Sequence, residues 1–420
     1  MHITRALLGL AFFCFVSWLL SSHKKKFPVR VVVLGIGLQV ALGAFLLKTE
    51  LGIRLFEGIS GFVTTLISKA APGTKLVFGG LSDGNFADGG WGYAFAFAGS
   101  GLTVIIFFSA LMSVLYHIGV MQVLIYALAR MMSVTMGVTG AESMSMAANV
   151  FVGQTEAPLV VKPYVSGMTR SELNAMMTGG FATIAGSVLA VYIGLLGPEY
   201  GPHLLTASVM SAPAAFLIAK IMQPETEESA TGRKVELKFE RNASNLIEAA
   251  AIGTGDGLKL WLNVIAMLIA FMGLVALIDW PLTSIGAALE IDGGLSINRI
   301  FSWVFAPVAW MMGVESWHDC NLMGTLLGTK IAVNEFLAFD LLQGMLPGKE
   351  GLVFESARST KMAAYALCGF ANFASIGIQI GGITPLAPER RSEISKLVLR
   401  AMLGGAFASW MTATVAGMFL

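Results

Sequence analysis

Charge is scarce in this sequence. Only 13% of its 420 residues are charged while 55% are hydrophobic, a balance that excludes an ordinary soluble enzyme and describes a polytopic membrane protein. The 27 basic and 26 acidic side chains leave a net charge of +1, so no basic surface exists to hold nucleic acid. Cysteine is rarer still: Cys14, Cys320 and Cys368 stand in apolar surroundings at unrelated spacings. They make neither a metal pattern nor a disulfide framework and read as small packing residues. Gly253-Thr-Gly-Asp256 matches half of an intramembrane aspartyl protease pair, but the sequence has no Tyr-Asp dipeptide to supply the second acid. Gly35-Ile-Gly37 lacks the third glycine of a dinucleotide fingerprint and suits close helix packing. In His318-Asp319-Cys320 a nucleophile and a base are adjacent, an arrangement in which side chains seldom face each other, so it reads as structural. The first apolar segment is followed by Lys24-Lys25-Lys26 and carries no small-residue cleavage site, so a first spanning helix is expected instead of a signal peptide.

Long apolar runs are abundant. Stretches able to cross a bilayer, about 20 residues each, occur near 4–20, 29–47, 93–117, 173–196, 204–221, 258–279, 361–384 and 397–419. Four others are awkward. Residues 51–68 alternate charged and apolar positions at helical spacing, and 118–136 carry Arg130 before a glycine turn; both suit helices lying at the interface. Residues 141–165 and 298–346 have a Gly or Pro break and polar residues near the middle. Irregular backbone at membrane depth survives only where protein or water satisfies it, so both read as re-entrant hairpins. With the first helix running inward, loops 21–30, 118–171, 222–257 and 386–396 collect most Lys and Arg, which puts both termini outside. On that topology Asn242-Ala-Ser244 lies inside the cell and is a glycosylation match in form only.

Polar residues are concentrated in two echoing places. Asn149-Val-Phe-Val-Gly-Gln154-Thr155-Glu156-Ala-Pro158 is answered by Val333-Asn334-Glu335-Phe336, and Gly180-Phe-Ala-Thr183 by Gly369-Phe-Ala-Asn372-Phe-Ala-Ser375. Carboxylates and amides in hydrocarbon are costly and are functional by default. Duplicated, Gly- and Pro-interrupted apolar segments point to a transporter site shared by two related halves. Gln154, Thr155 and Glu156 together supply donors and acceptors, a mix that suits a neutral, hydrogen-bond-rich solute such as a nucleobase or sugar. Glu335, Asn372 and Ser375, with Phe370 beside them, add a second carboxylate and a ring for a partly planar ligand. Asn149, Thr155 and Thr183, with carbonyls at Val152 and Ile184, offer hard oxygens for sodium; a glutamate could accept a proton in its place.

Gly153–Leu159, Val333–Phe336 and Cys368–Ile376 resemble the concentrative nucleoside transporter family, bacterial branch, and the likeness runs over nearly the whole chain. The resemblance implies an all-α polytopic fold of eight transmembrane helices, two re-entrant hairpins and interfacial helices, with an internal repeat and elevator-type motion. It implies nucleobase contacts from Gln154, Thr155, Glu156 and Val188, and ribose contacts from Glu335, Asn372, Ser375 and Phe370. Sodium would sit against Asn149, Val152, Thr155, Thr183 and Ile184. Position 183 is often Ser in the family, and Thr keeps the hydroxyl. The implied partners are a nucleoside, membrane lipid and two further copies of the chain in a homotrimer, in a bacterial inner membrane. The expected division is scaffold 1–92 and 93–140, first hairpin with helices 4 and 5 at 141–221, connector 222–257, scaffold helix 6 at 258–297, second hairpin with helix 7 at 298–384, and helix 8 at 385–420. Competing readings are a proton-coupled nucleoside carrier, a channel-like pore and, in a different class, the aspartyl protease.

Overall fold

The protein is represented by a computed structural model that describes residues 2–78, 100–230, 232, 243–291 and 294–420. Among these residues the elements are all helical. The first group is α1 (His2–Leu19), α2 (Val29–Lys48), α3 (Glu50–Phe78), α4 (Ser100–His117) and α5 (Val120–Met136). Next come α6 (Gly140–Asn149), α7 (Ala157–Val160), α8 (Lys162–Val165), α9 (Arg170–Ala182), α10 (Gly186–Leu196) and α11 (Gly201–Met222). The last group is α12 (Leu246–Ala288), α13 (Ile297–Met312), α14 (Trp317–Ala332), α15 (Glu335–Gly344), α16 (Ala357–Leu367), α17 (Phe373–Ile383) and α18 (Arg391–Gly417).

The element order repeats. From α4 the chain runs through a bent-off helix (α5), a broken hairpin (α6 to α8), a broken helix (α9, α10) and a long buried helix (α11). From α12 it does so again through α13, α14–α15, α16–α17 and α18. α5 leaves α4 at 78°, and α14 leaves α13 at 114°. If α4 stands along the membrane normal, a 78° turn lays α5 nearly in the membrane plane, as a helix with Arg130 on its exposed face requires.

The eight expected crossings correspond to α1, α2, α4, α9–α10, α11, α12, α16–α17 and α18. Three boundaries differ from the sequence expectation. α3 is one 29-residue helix, longer than 51–68, and long and apolar enough to cross a membrane. α12 is continuous for 43 residues from its Asn245 cap, so the polar-to-apolar change near 257 falls inside a helix. The stretch expected as one hairpin, 298–346, is three helices, and its reversal separates α13 from the α14–α15 pair. Residues 93–99 of the third expected crossing lie outside the described residues, as do 233–242 of the connector.

The core lies where α9, α11 and α18 meet. α11 is buried along almost its whole length, as befits a helix apolar on every face. Small residues let the backbones close: a methyl added to Gly405 of α18 would sit 2.3 Å from Phe181 Cβ of α9. Polar links fix the register. Gln39 of α2 donates to Met210 O of α11 and Thr412 Oγ1 of α18, each at 3.2 Å. The buried Lys220 ammonium of α11 meets the Glu142 carboxylate of α6 at 2.6 Å, tying the base of the first hairpin to the core.

Candidate substrate and cation site

Four helix interruptions converge to make the site. In the first half, α6 stops at Asn149, and Gly153 turns the chain with φ +102°, a left-handed value that favours glycine. α9 stops at Ala182, and Thr183 is extended (φ −121°, ψ 165°) before α10 starts at Gly186. In the second half, Asn334 caps α15 by accepting from Leu337 N at 2.9 Å. Asn372 likewise caps α17 by accepting from Ser375 N at 2.8 Å. Interrupted helices leave N–H and C=O groups without intrahelical partners, so each break is a ready polar surface.

The halves brace each other across these breaks. Glu335, nearly buried, accepts from Asn372 Nδ2 on Oε2 at 2.7 Å and from Tyr192 OH of α10 on Oε1 at 3.1 Å. Gln154 at the first tip donates through Nε2 to Ser375 Oγ at 3.3 Å. Its Oε1 accepts from Gln379 Nε2 at 3.2 Å, and that amide also donates to Met177 O at 3.0 Å. One connected polar group therefore holds Gln154, Ser375, Asn372 and Glu335, with Val188 buried and Phe370 half-buried.

The three consecutive residues of the first tip differ in burial. Gln154 is buried, Thr155 half-buried and Glu156 exposed. Thr155 presents its methyl to α17, where a Cβ on Gly382 would be 3.3 Å away. Glu156 reaches back beside its own turn, with Oε2 3.2 Å from where a Gly153 Cβ would stand and Ala185 alongside.

A second cluster surrounds Asn149. Thr183 Oγ1 has one proton to share between Asn149 O at 3.2 Å and Gly179 O at 3.0 Å, and Asn149 Nδ2 donates to Ser145 O at 3.1 Å. Gly186 N donates to Phe151 O at 2.9 Å, fastening the hairpin tip to the α9–α10 break. Asn149 Oδ1 is buried and without a hydrogen-bond partner. An unsatisfied buried acceptor costs about 1–3 kcal/mol, and a small hard cation is the group that oxygens of this kind satisfy. Ile184 is buried and Val152 half-buried in the same turns. The donor set fits sodium, and the Thr155 contact with α17 is made by its methyl, which leaves the hydroxyl free of that contact.

Comparison with known proteins follows the same division. Residues 203–417 match the family described as Na+ dependent nucleoside transporter C-terminus, and residues 8–81 match its N-terminus. Residues 100–199 match a gate described as nucleoside recognition. The chain belongs to the sodium-dependent nucleoside transporter family. This family member is 41% identical over 420 residues to an uncharacterized transporter of Haemophilus influenzae, covering all of this chain and 98% of that one. It is 42% identical to sodium/nucleoside cotransporter 1 of Mus musculus and 41% identical to that of Homo sapiens, each over 97% of this chain. The chain spans 62% of the length of those two mammalian relatives. Among solved structures it is similar to CNTnw in an inward-facing substrate-bound state, at 38% identity and a TM-score of 0.91, over all of this chain and 98% of that one. Outward-facing and intermediate states of CNTnw superpose with TM-scores of 0.91 and 0.89.

This nucleoside transporter family is not one of enzymes, and the protease motif has no active-site setting. Asp256 lies exposed on α12 beside Lys259, 3.6 Å away. Asp319 accepts from Glu355 N at 2.9 Å and Ser356 N at 3.2 Å, the structural use expected of it. Tyr192 and Gln379 join this polar group from outside the echoing motifs. Both are polar groups inside apolar helices, and the cost of burying them was the available signal.

Proposed function

We propose that this chain is a symporter that carries a nucleoside inward across a bacterial cytoplasmic membrane, driven by the sodium gradient. Supporting this are the family membership and, above all, the connected Gln154–Ser375–Asn372–Glu335 group beside the oxygen set around Asn149. Gln154, Thr155 and Glu156, with Val188, take the base. Glu335, Asn372 and Ser375, with Phe370, take the ribose, whose neighbouring hydroxyls match a carboxylate acceptor. Asn149, Val152, Thr155, Thr183 and Ile184 take the sodium ion. The unpartnered Asn149 oxygen is the reason for preferring sodium to a proton.

Coupling follows from shared backbone. A cation drawing Asn149 and the α9–α10 break together immobilises residues 150–156, and with them the Gln154 amide. The nucleoside then meets a preorganised tip, and by linkage it strengthens sodium binding in return. The two hairpins and broken helices move as the transport domain of an elevator against a scaffold built from α1 to α5 and α12. The apolar, exposed face of α12, including Ile269, Leu274 and Leu277, suits lipid and the other copies of a homotrimer. Both termini face the periplasm.

Reconstituted into liposomes, the protein is expected to accumulate uridine under an inward sodium gradient and to lose accumulation when choline replaces sodium. Accumulation driven by a pH gradient alone would replace this mechanism with proton coupling, and strictly downhill flux would indicate a pore. Thr183→Val removes one hydroxyl while keeping the shape. It is expected to raise the sodium concentration for half-maximal uptake about tenfold, the size of one hydrogen-bonding group at ~1.4 kcal/mol. An unchanged sodium dependence would remove Thr183 from the cation set.

A further inference from the structure

Gln379 is a wholly buried amide in the apolar helix α17. It follows Ser375 by one turn, and residues four apart share a helix face, so both meet the Gln154 side chain of the first hairpin tip. Room for this meeting comes from α9. A Cβ on Gly180 would stand 2.4 Å from Gln379 Nε2 and 3.0 Å from Gln154 Cβ, so the absence of a side chain there lets the two amides touch.

An amide has a donor end and an acceptor end, and its partners decide which way round it lies. Met177 O of α9 is a backbone carbonyl and can only accept, so the Gln379 end 3.0 Å from it is Nε2. The same Nε2 lies 3.2 Å from Gln154, which must answer it with Oε1. The Gln154 nitrogen is thereby left on the side of Ser375 Oγ, 3.3 Å away. One of its N–H groups is spent on Ser375, and the other remains for a ligand. Turned over, Gln154 would set nitrogen against nitrogen in a buried place, losing one hydrogen bond and leaving its partner's N–H unmet.

We propose that Gln379 is a positioning residue: it holds Gln154 as a hydrogen-bond donor toward the base, so the site selects nucleosides with an acceptor on the base edge away from the sugar. This rests on the base and ribose assignment under Proposed function. Asn372, in the ribose group, caps the start of α17. Gln154 reaches between Ser375 and Gln379, one to two turns farther along at about 5.4 Å per turn. The far edge of the base therefore meets Gln154. A pyrimidine with a carbonyl oxygen at position 4 supplies the acceptor, whereas one with an amine there sets donor against donor.

The test measures binding of uridine, cytidine and the pyrimidin-2-one ribonucleoside by titration calorimetry at saturating sodium, for the wild type, Gln379→Met and Gln379→Glu. The pyrimidin-2-one compound is cytidine without its amine and isolates that group. The wild type is expected to bind uridine about tenfold more tightly than this analogue, the size of one hydrogen bond, and to bind cytidine more weakly than either. Gln379→Met keeps the shape but removes the donor that pins Gln154. The amide then turns to suit either ligand, and cytidine is expected to draw level with uridine. Gln379→Glu, protonated toward Met177 O, offers Gln154 only a lone pair. Gln154 then turns its nitrogen inward and its oxygen to the base, and cytidine is expected to overtake uridine by about tenfold.

A substitution that merely loosened the fold would weaken all these ligands alike. An unchanged order of affinities in the variants therefore overturns the proposal. So does a wild type that binds cytidine more tightly than its amine-free analogue, because a freely turning Gln154 would accept from the amine. That comparison needs no variant to fold. A wild type that binds none of these compounds is a failure of the nucleoside reading, distinct from a wild type that binds them in the wrong order.

Discussion

Glu335→Gln is expected to weaken nucleoside binding about 100-fold, close to 3 kcal/mol, while leaving the fold and sodium binding in place. Each oxygen of the wild-type carboxylate already holds one donor, Asn372 Nδ2 at 2.7 Å and Tyr192 OH at 3.1 Å. Lone pairs remain on both oxygens for two ribose hydroxyls. Glutamine keeps one acceptor and brings two N–H donors. Its oxygen will turn to Asn372, and Tyr192 will rotate its hydroxyl to accept from the new amide, so the interior stays satisfied. The ribose meets a donor where it needs an acceptor, and the charge is gone. Titration calorimetry with uridine at saturating sodium measures the loss, and sodium binding without nucleoside serves as the control. Unchanged uridine affinity would remove Glu335 from the ribose site. Tyr192→Phe, which removes one donor and leaves the charge, should cost less, about 1.5 kcal/mol.

Gly369→Ala is expected to abolish both sodium-stimulated and nucleoside-stimulated thermal stabilisation. Gly369 has φ +143°, and an added Cβ would stand 2.8 Å from Phe181 O and 2.9 Å from Ala182 O. Those carbonyls end α9, so one methyl group strains the α16–α17 break and pushes on the α9–α10 break together. Backbone strain of about 1–3 kcal/mol and a similar overpacking cost add on a site that must be ordered to bind. Gly377→Ala is the control. It lies on the exposed side of α17 with nothing within 4 Å of the new methyl, and it should stabilise the helix by about 0.5–1 kcal/mol. Wild-type binding in Gly369→Ala would mean the two breaks are not mechanically joined.

Much of this architecture is legible before any coordinates. Hydropathy marks the crossings because a bilayer tolerates only apolar, internally bonded segments. The same rule makes Gln154, Glu335 and Asn372 conspicuous, since each is expensive unless used. Element continuity is harder to read. The polar start of α12 looks like a connector, with Gly253, Gly255 and Gly257, yet it carries an Asn245 cap that accepts from Glu248 N at 2.9 Å and no proline before the apolar run. The stretch 298–346 reads as a single hairpin because hydropathy reports burial and not direction. The 114° turn at α13–α14 is invisible to it.

The sequence by itself determined the membrane class, the duplicated helix interruptions and the residue types available at each. These depend on local composition and on the cost of burying polar groups, which adjacent residues reveal. Only the tertiary structure decided which halves touch. Gln379 finds Gln154 across 225 positions, and Tyr192 finds Glu335 across 143. It also decided that Gln154 is buried while Glu156 two residues on is exposed. Such pairings follow from the packing of α9, α11 and α18, where every side chain's direction depends on the rest of the core. No local pattern carries that information.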